Sequence, residues 1–176
     1  MAAHARHRRG RILEPAQLLS RAVSESSDVE TVERLIPAPP EKIFELLADP
    51  RRHRDIDGSG NVREAKETPE RLSLGAQFGM SMKMGLPYSM VSEVVEFEDG
   101  RRIAWQSRPP SSFGARFAGG RIWRYELEPR DGGTLVRESW DISQEKATKG
   151  LVRRARKKTR AAMEKTLARI EELVAG

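Results

Sequence analysis

Ile36-Pro37-Ala38-Pro39-Pro40-Glu41-Lys42-Ile43-Phe44-Glu45-Leu46-Leu47-Ala48-Asp49-Pro50 holds a change of structural period. Before it, Thr31-Val32-Glu33-Arg34-Leu35-Ile36 is strand-like, and the proline cluster at 37–40 ends the strand because proline cannot donate to a ladder. Pro40 suits a first helical turn and Glu41 complements its positive end. Ile43, Phe44, Leu46 and Leu47 then form an apolar stripe that Asp49-Pro50 closes. A strand followed by a short helix is the expectation, with one further helical turn at 51–55 and a turn at Asp57-Gly58-Ser59-Gly60.

Downstream the period is that of strands, at residues 61–66, 76–84, 88–98, 101–108, 121–128 and 134–143. In the second of these Ala76, Phe78, Met80, Met82 and Met84 share one face. Gly85-Leu86-Pro87, Asp99-Gly100 and Asp131-Gly132-Gly133 read as turns, and a glycine-bearing loop spans 113–120. Strand parity puts Ile103 with Trp105, Trp123 with Tyr125 and Leu127, and Val136 with Glu138, Trp140 and Ile142. The connections predict an antiparallel meander. Residues 148–174 form one long amphipathic helix. Leu151, Ala155, Thr159, Ala162, Met163, Thr166, Leu167, Ile170, Leu173 and Val174 fall within an arc of about 160°, broad enough to lie across a sheet.

At 176 residues the chain fits one domain with a real core. Hydrophobic residues make up 38% and charged residues 33%, and no apolar run approaches the roughly 20 residues of a membrane span. The absence of cysteine excludes disulfides, thiolate metal sites and a thiol nucleophile, and fits a cytoplasmic location. The net charge of +6 is unevenly spread, since the first 27 residues and the last 29 are basic and the body between them is mildly acidic. Residues 1–27 lack a signal-peptide apolar core and read as a flexible basic tail, so the domain is expected at 28–176.

Several chemistries are absent from the pattern. Asp55-x-Asp57-x-Ser59-Gly60-x-Val62 copies the start of an EF-hand loop, but Lys66 stands where its bidentate glutamate belongs. His4 and His7 have no third ligand, so no metal is expected. One histidine in the domain, His53, leaves no anchor for a Ser-His-Asp set, and no Gly-Lys-Ser/Thr follows the glycines at 114, 119 and 120. No cofactor is implied.

The 36–50 segment resembles the opening signature of the START-like, or polyketide cyclase/dehydrase-like (SRPBCC), superfamily. The hairpin at 94–105, the strand Trp123-Arg124-Tyr125-Glu126-Leu127 and the turn Gly132-Gly133-Thr134-Leu135-Val136 follow in family-like order. The resemblance implies an α+β helix-grip fold. This is an antiparallel curved sheet of about six to seven strands, with two short helices after the first strand and a long C-terminal helix across the concave face. It also implies a cavity between sheet and helix for a hydrophobic small molecule such as a polyketide, lipid or aromatic, with cyclase or dehydratase chemistry as the catalytic extension.

Phe78, Met80, Met82, Met84, Trp105, Trp123, Tyr125, Glu138, Trp140 and Met163 are the candidate ligand-binding residues. Methionine gives a soft wall and the aromatics a flat one. Glu138 and His53 are the candidate catalytic groups. Glu138 faces inward, where burial would raise its pKa; its simpler reading is a carboxylate held by an arginine such as Arg121. His53 reads as a proton carrier at the cavity mouth or, more simply, as a cap or surface residue. The alternatives are nucleic-acid or anionic-surface binding through Arg153, Arg154, Arg156, Lys157, Lys158 and Arg160, or a co-chaperone-like protein-binding role. The cations are expected on the solvent side of the helix. The sequence leaves the oligomeric state open.

Overall fold

The computed structural model describes residues 28–110 and 119–175. The basic segment 1–27 and most of the glycine-bearing loop, 111–118, lie outside the described residues. The elements run β1 (Val29–Ile36), α1 (Pro40–Ala48), a 3₁₀ turn (Pro50–Arg52), α2 (His53–Ile56), β2 (Val62–Lys66), β3 (Gln77–Met84), β4 (Leu86–Glu98), β5 (Arg102–Arg108), β6 (Arg121–Arg130), β7 (Gly133–Asp141), α3 (Lys149–Arg154) and α4 (Arg156–Val174).

Pro39 caps α1 in an extended conformation and Pro40 opens it, as the proline cluster predicts. Asp49 then accepts from the Arg51 amide, so the chain turns into the 3₁₀ segment without leaving that donor unpaired. Asp57 closes the second helical region. Its carboxylate accepts from the amides of Ser59 and Val62, which makes the EF-hand look-alike an Asx turn that starts β2.

All seven strands join one antiparallel sheet in the order β1-β7-β6-β5-β4-β3-β2. The hairpin turns at Gly100 and Gly132 have positive φ, as the Asp-Gly signals require. The registers align Trp140 with Trp123 and Trp123 with Trp105 in one row. The adjacent row holds Val32, Glu138, Tyr125 and Ile103. These rows form the inner face, against which Ile43, Phe44, Leu47, Met163, Leu167 and Ile170 complete the core. Burying side chains of this size contributes roughly 2 kcal/mol each relative to exposure.

Helix α4 runs alongside β1, and ion pairs fix it there. Arg156 and Arg160 both hold Glu30 near the start of the strand, and Arg34 holds Glu171 near its end. Burial pushes the Glu30 carboxyl up, but the two guanidiniums override it and hold it below the usual carboxylate range. On the opposite side the chain between α2 and β2 reaches the same helix, where the Gly58 amide donates to Thr166 Oγ1 at 3.0 Å. Both edges of the sheet therefore close on α4.

The C-terminal segment departs from the expected helix in three ways. It is two helices separated at Ala155. Its buried residues, Val152, Met163, Thr166, Leu167, Ile170 and Val174, span an arc of only about 100° when placed at helical spacing. Leu151, Ala155 and Leu173 lie outside that stripe and are exposed. Third, the cations do not all point to water. Arg153 pairs with Asp28, and Arg156 and Arg160 with Glu30, because the first residues of β1 are acidic and lie beneath them.

Candidate functional site

Glu138 is the residue around which the site is built. Strand β7 aims it at the inner face, where it is 1% exposed. Tyr125, opposite it on β6, donates its hydroxyl to Glu138 Oε1 at 2.9 Å. Arg121, the expected partner, instead pairs with Glu145 at 2.9 Å. Among the described residues no cation offsets the burial, so desolvation raises the Glu138 pKa to about 8, Tyr125 opposing and the Asp57 charge adding to it. The carboxyl is thus protonated at neutral pH. Burial also drives the Tyr125 phenol well above its ordinary value, with Glu138 adding to the effect.

Among the described residues two buried side-chain atoms, Glu138 Oε2 and Trp140 Nε1, have no hydrogen-bond partner. They belong to alternate residues of one strand and so project from the same face. With the carboxyl protonated and Oε1 accepting from Tyr125, Oε2 carries the proton. In that state both atoms are donors without an acceptor among the described residues, an arrangement that costs free energy.

An aromatic stack extends from this pair. Trp105 stacks on Tyr125 with centroids 5.5 Å apart and on His53 at 4.7 Å. Phe78 meets both His53 and Trp105 edge-on. The mouth and surface readings of His53 do not hold, because it is a core residue; the capping reading does, because its ring meets a carbonyl in the last turn of α1. His53 Nε2 lies 2.9 Å from the Leu47 carbonyl oxygen, and burial lowers the pKa of the ring, so it donates as a neutral imidazole. No hydrogen bond links the two candidate acid-base residues, His53 and Glu138, among the described residues.

The structure divides the methionine stripe. Met80 is buried and Met82 half-buried, but Met84 is 62% exposed, so it is no part of an enclosed wall. The strand stays regular, but the sheet beside it ends. Pairing between β4 and β5 begins only at Val91 and Arg108, leaving the tip of the β3–β4 hairpin beyond the core. Met163 is buried on α4, Trp140 on β7, and Trp123 is partly buried with its ring 6.3 Å from that of Trp140. Sequence reasoning missed Tyr88 and Met90, which pair with Met82 and Met80 across the hairpin. The alternation Leu86, Tyr88, Met90 after Gly85 was the signal.

Residues 29–175 match the sequence profile of the family described as polyketide cyclase/dehydrase and lipid transport. The chain belongs to that family. Two uncharacterized Mycobacterium tuberculosis proteins are 38% and 37% identical to it over 94 residues. Each match takes in 53% of this chain and 38% of the relative, so the chain covers well under half of their length.

Solved structures share the fold of this cyclase/dehydrase and lipid transport family member at low identity. A crystal structure from Chromobacterium violaceum superposes with TM-score 0.63 at 16% identity, covering 85% of this chain and 98% of that one. A solution structure from Arthrobacter aurescens gives 0.66 at 15% identity, with 86% and 88% covered. A ginseng (Panax ginseng) major latex-like protein gives 0.57 at 14% identity, with 83% and 96% covered. Family membership points to hydrophobic ligand binding. No helix among the described residues is long and apolar enough to cross a membrane.

Proposed function

We propose that the chain binds a hydrophobic small molecule against the inner face of the sheet, with an acceptor oxygen of that molecule, such as a ketone carbonyl, held by Glu138 and Trp140. The observation that carries this reading is the pair of buried polar atoms, Glu138 Oε2 and Trp140 Nε1, without a hydrogen-bond partner among the described residues, set in an otherwise apolar and aromatic wall. A carbonyl satisfies both with one atom, because its oxygen has two lone pairs. Trp105, Trp123 and Met163 supply apolar contact on either side. The Glu138 acid would also polarise the carbonyl, the activation from which cyclisation and dehydration start.

Calorimetric titration with 2-acetylnaphthalene and with its hydrocarbon match, 2-ethylnaphthalene, tests the reading. The ketone should bind at least about tenfold more tightly, since only it pairs the two donors. Trp140→Phe should narrow that gap while leaving the hydrocarbon affinity nearly unchanged. Equal affinities for the two probes, or binding of neither, would count against the proposal.

A further inference from the structure

Beyond ligand binding, one end of the molecule has features that the inner-face site does not use. The β3–β4 hairpin outruns its neighbours. Residues Leu86 to Met90 pair only with β3, and on the other edge β2 reaches no further than the pairing of Val62 with Met82 and of Asn61 with Lys83. On this ribbon Met80 faces Met90, Met82 faces Tyr88, and Met84 faces Leu86, so one face is apolar over three successive pairs. The other face carries Ser81, Lys83, Pro87 and Ser89. Exposure rises toward the tip, to 39% at Tyr88, 62% at Met84 and 81% at Leu86.

The basic helices start at the same end of the sheet. Asp28, just before β1, binds Lys149 and Arg153 of α3. Val29 aligns through Asp141 with Ile122, one residue from Arg121, which pairs with Ser107 next to the end of β5. Leu151 projects from α3 with 69% of its surface exposed. Arg154, Lys157 and Lys158 have no ion-pair partner among the described residues, nor has Lys83 on the ribbon. The same end thus offers apolar side chains standing proud and cations without an ion-pair partner among the described residues.

We infer that this end docks on an anionic lipid surface, with Met84, Leu86 and Leu151 entering the headgroup region and Arg154, Lys157 and Lys158 meeting its negative charge. Charge complementarity selects this occupant. A second copy of the chain would bring like charges together, and a nucleic acid would engage the cations but leave Leu86 and Met84 in water. A bilayer interface satisfies both, since apolar side chains and basic groups contribute to the same partition. Docking requires no bound ligand, so it stands or falls independently of the reading of Glu138.

Co-sedimentation of the full chain with phosphatidylcholine vesicles, with and without about 30 mol% phosphatidylglycerol, tests the inference. Wild type should bind the anionic vesicles and bind the neutral ones more weakly. Met84→Asp with Leu86→Asp should lower partitioning at least about tenfold at unchanged Tm, because both side chains are already in water. Arg154→Gln with Lys157→Gln and Lys158→Gln should lower it roughly fivefold per cation and level the two vesicle types. Three outcomes would overturn the inference. They are no binding to anionic vesicles, binding that neither variant weakens, or a different partner in their place. That partner would be a dimer dissolved by Leu86→Asp, or duplex DNA bound through the three cations.

Discussion

Wild-type stability should fall by about 4 kcal/mol between pH 4.5 and pH 8 relative to the Glu138→Gln variant. The folded-state pKa of about 8 lies above the ordinary 4.5, so the folded protein keeps a proton that the unfolded chain releases. The stabilisation from keeping Glu138 neutral is complete below pH 4.5 and is lost as pH rises through 8. His53 works in the opposite direction. Its pKa is lowered by burial, so its contribution is lost as pH falls below 6.5. Comparison with Glu138→Gln removes the histidine effect, because both proteins carry it. Urea denaturation at half-unit pH intervals gives the difference directly. Parallel pH profiles for the two proteins would mean that Glu138 is ionised in the fold, and the two-donor site would be wrong.

Gly58→Ala should cost about 3 kcal/mol and lower Tm by roughly 10 °C. The glycine lies against α4, and a Cβ there would sit 2.5 Å from the Thr166 amide nitrogen and 2.7 Å from Lys165 Cβ, and nearer still to the Ala162 carbonyl oxygen. Two of those atoms are helix backbone, so relief requires α4 to move off the inner face. Gly60→Ala is the contrasting case. Its φ is +68° but nothing lies within 4 Å of the added carbon, so only the left-handed strain of about 1 kcal/mol remains. Thermal melts that rank the two the other way would show that α4 does not rest on Gly58.

The strands were legible because alternation and turn chemistry are local. Asp99-Gly100 and Asp131-Gly132 mark their hairpins, and parity alone puts Trp105, Trp123 and Trp140 on one face, as the register confirms. The inward aim of Glu138 was legible in the same way. Its partner was not, because Arg121 and Tyr125 share the parity that would admit either, and only the position of Glu145 decides which residue Arg121 meets. Met84 was misread since periodicity continues past the point where neighbouring strands stop. Leu151 was misread because a 160° arc fits the sequence, whereas the helix touches the sheet along a narrower stripe. Gly58 looked like turn grammar, and its contact with Thr166 spans 108 residues of sequence.

The indole N–H resonances of Trp105, Trp123 and Trp140, in ¹H–¹⁵N spectra of labelled protein titrated with 2-acetylnaphthalene, test the inner-face site most directly. Trp140 should show the largest downfield shift of the three and slowed exchange with solvent, as its N–H gains an acceptor. Glu138→Gln should reduce that shift without abolishing it. Saturating ketone that moves Trp105 or Trp123 but leaves the Trp140 signal in place would contradict an acceptor held between Glu138 and Trp140.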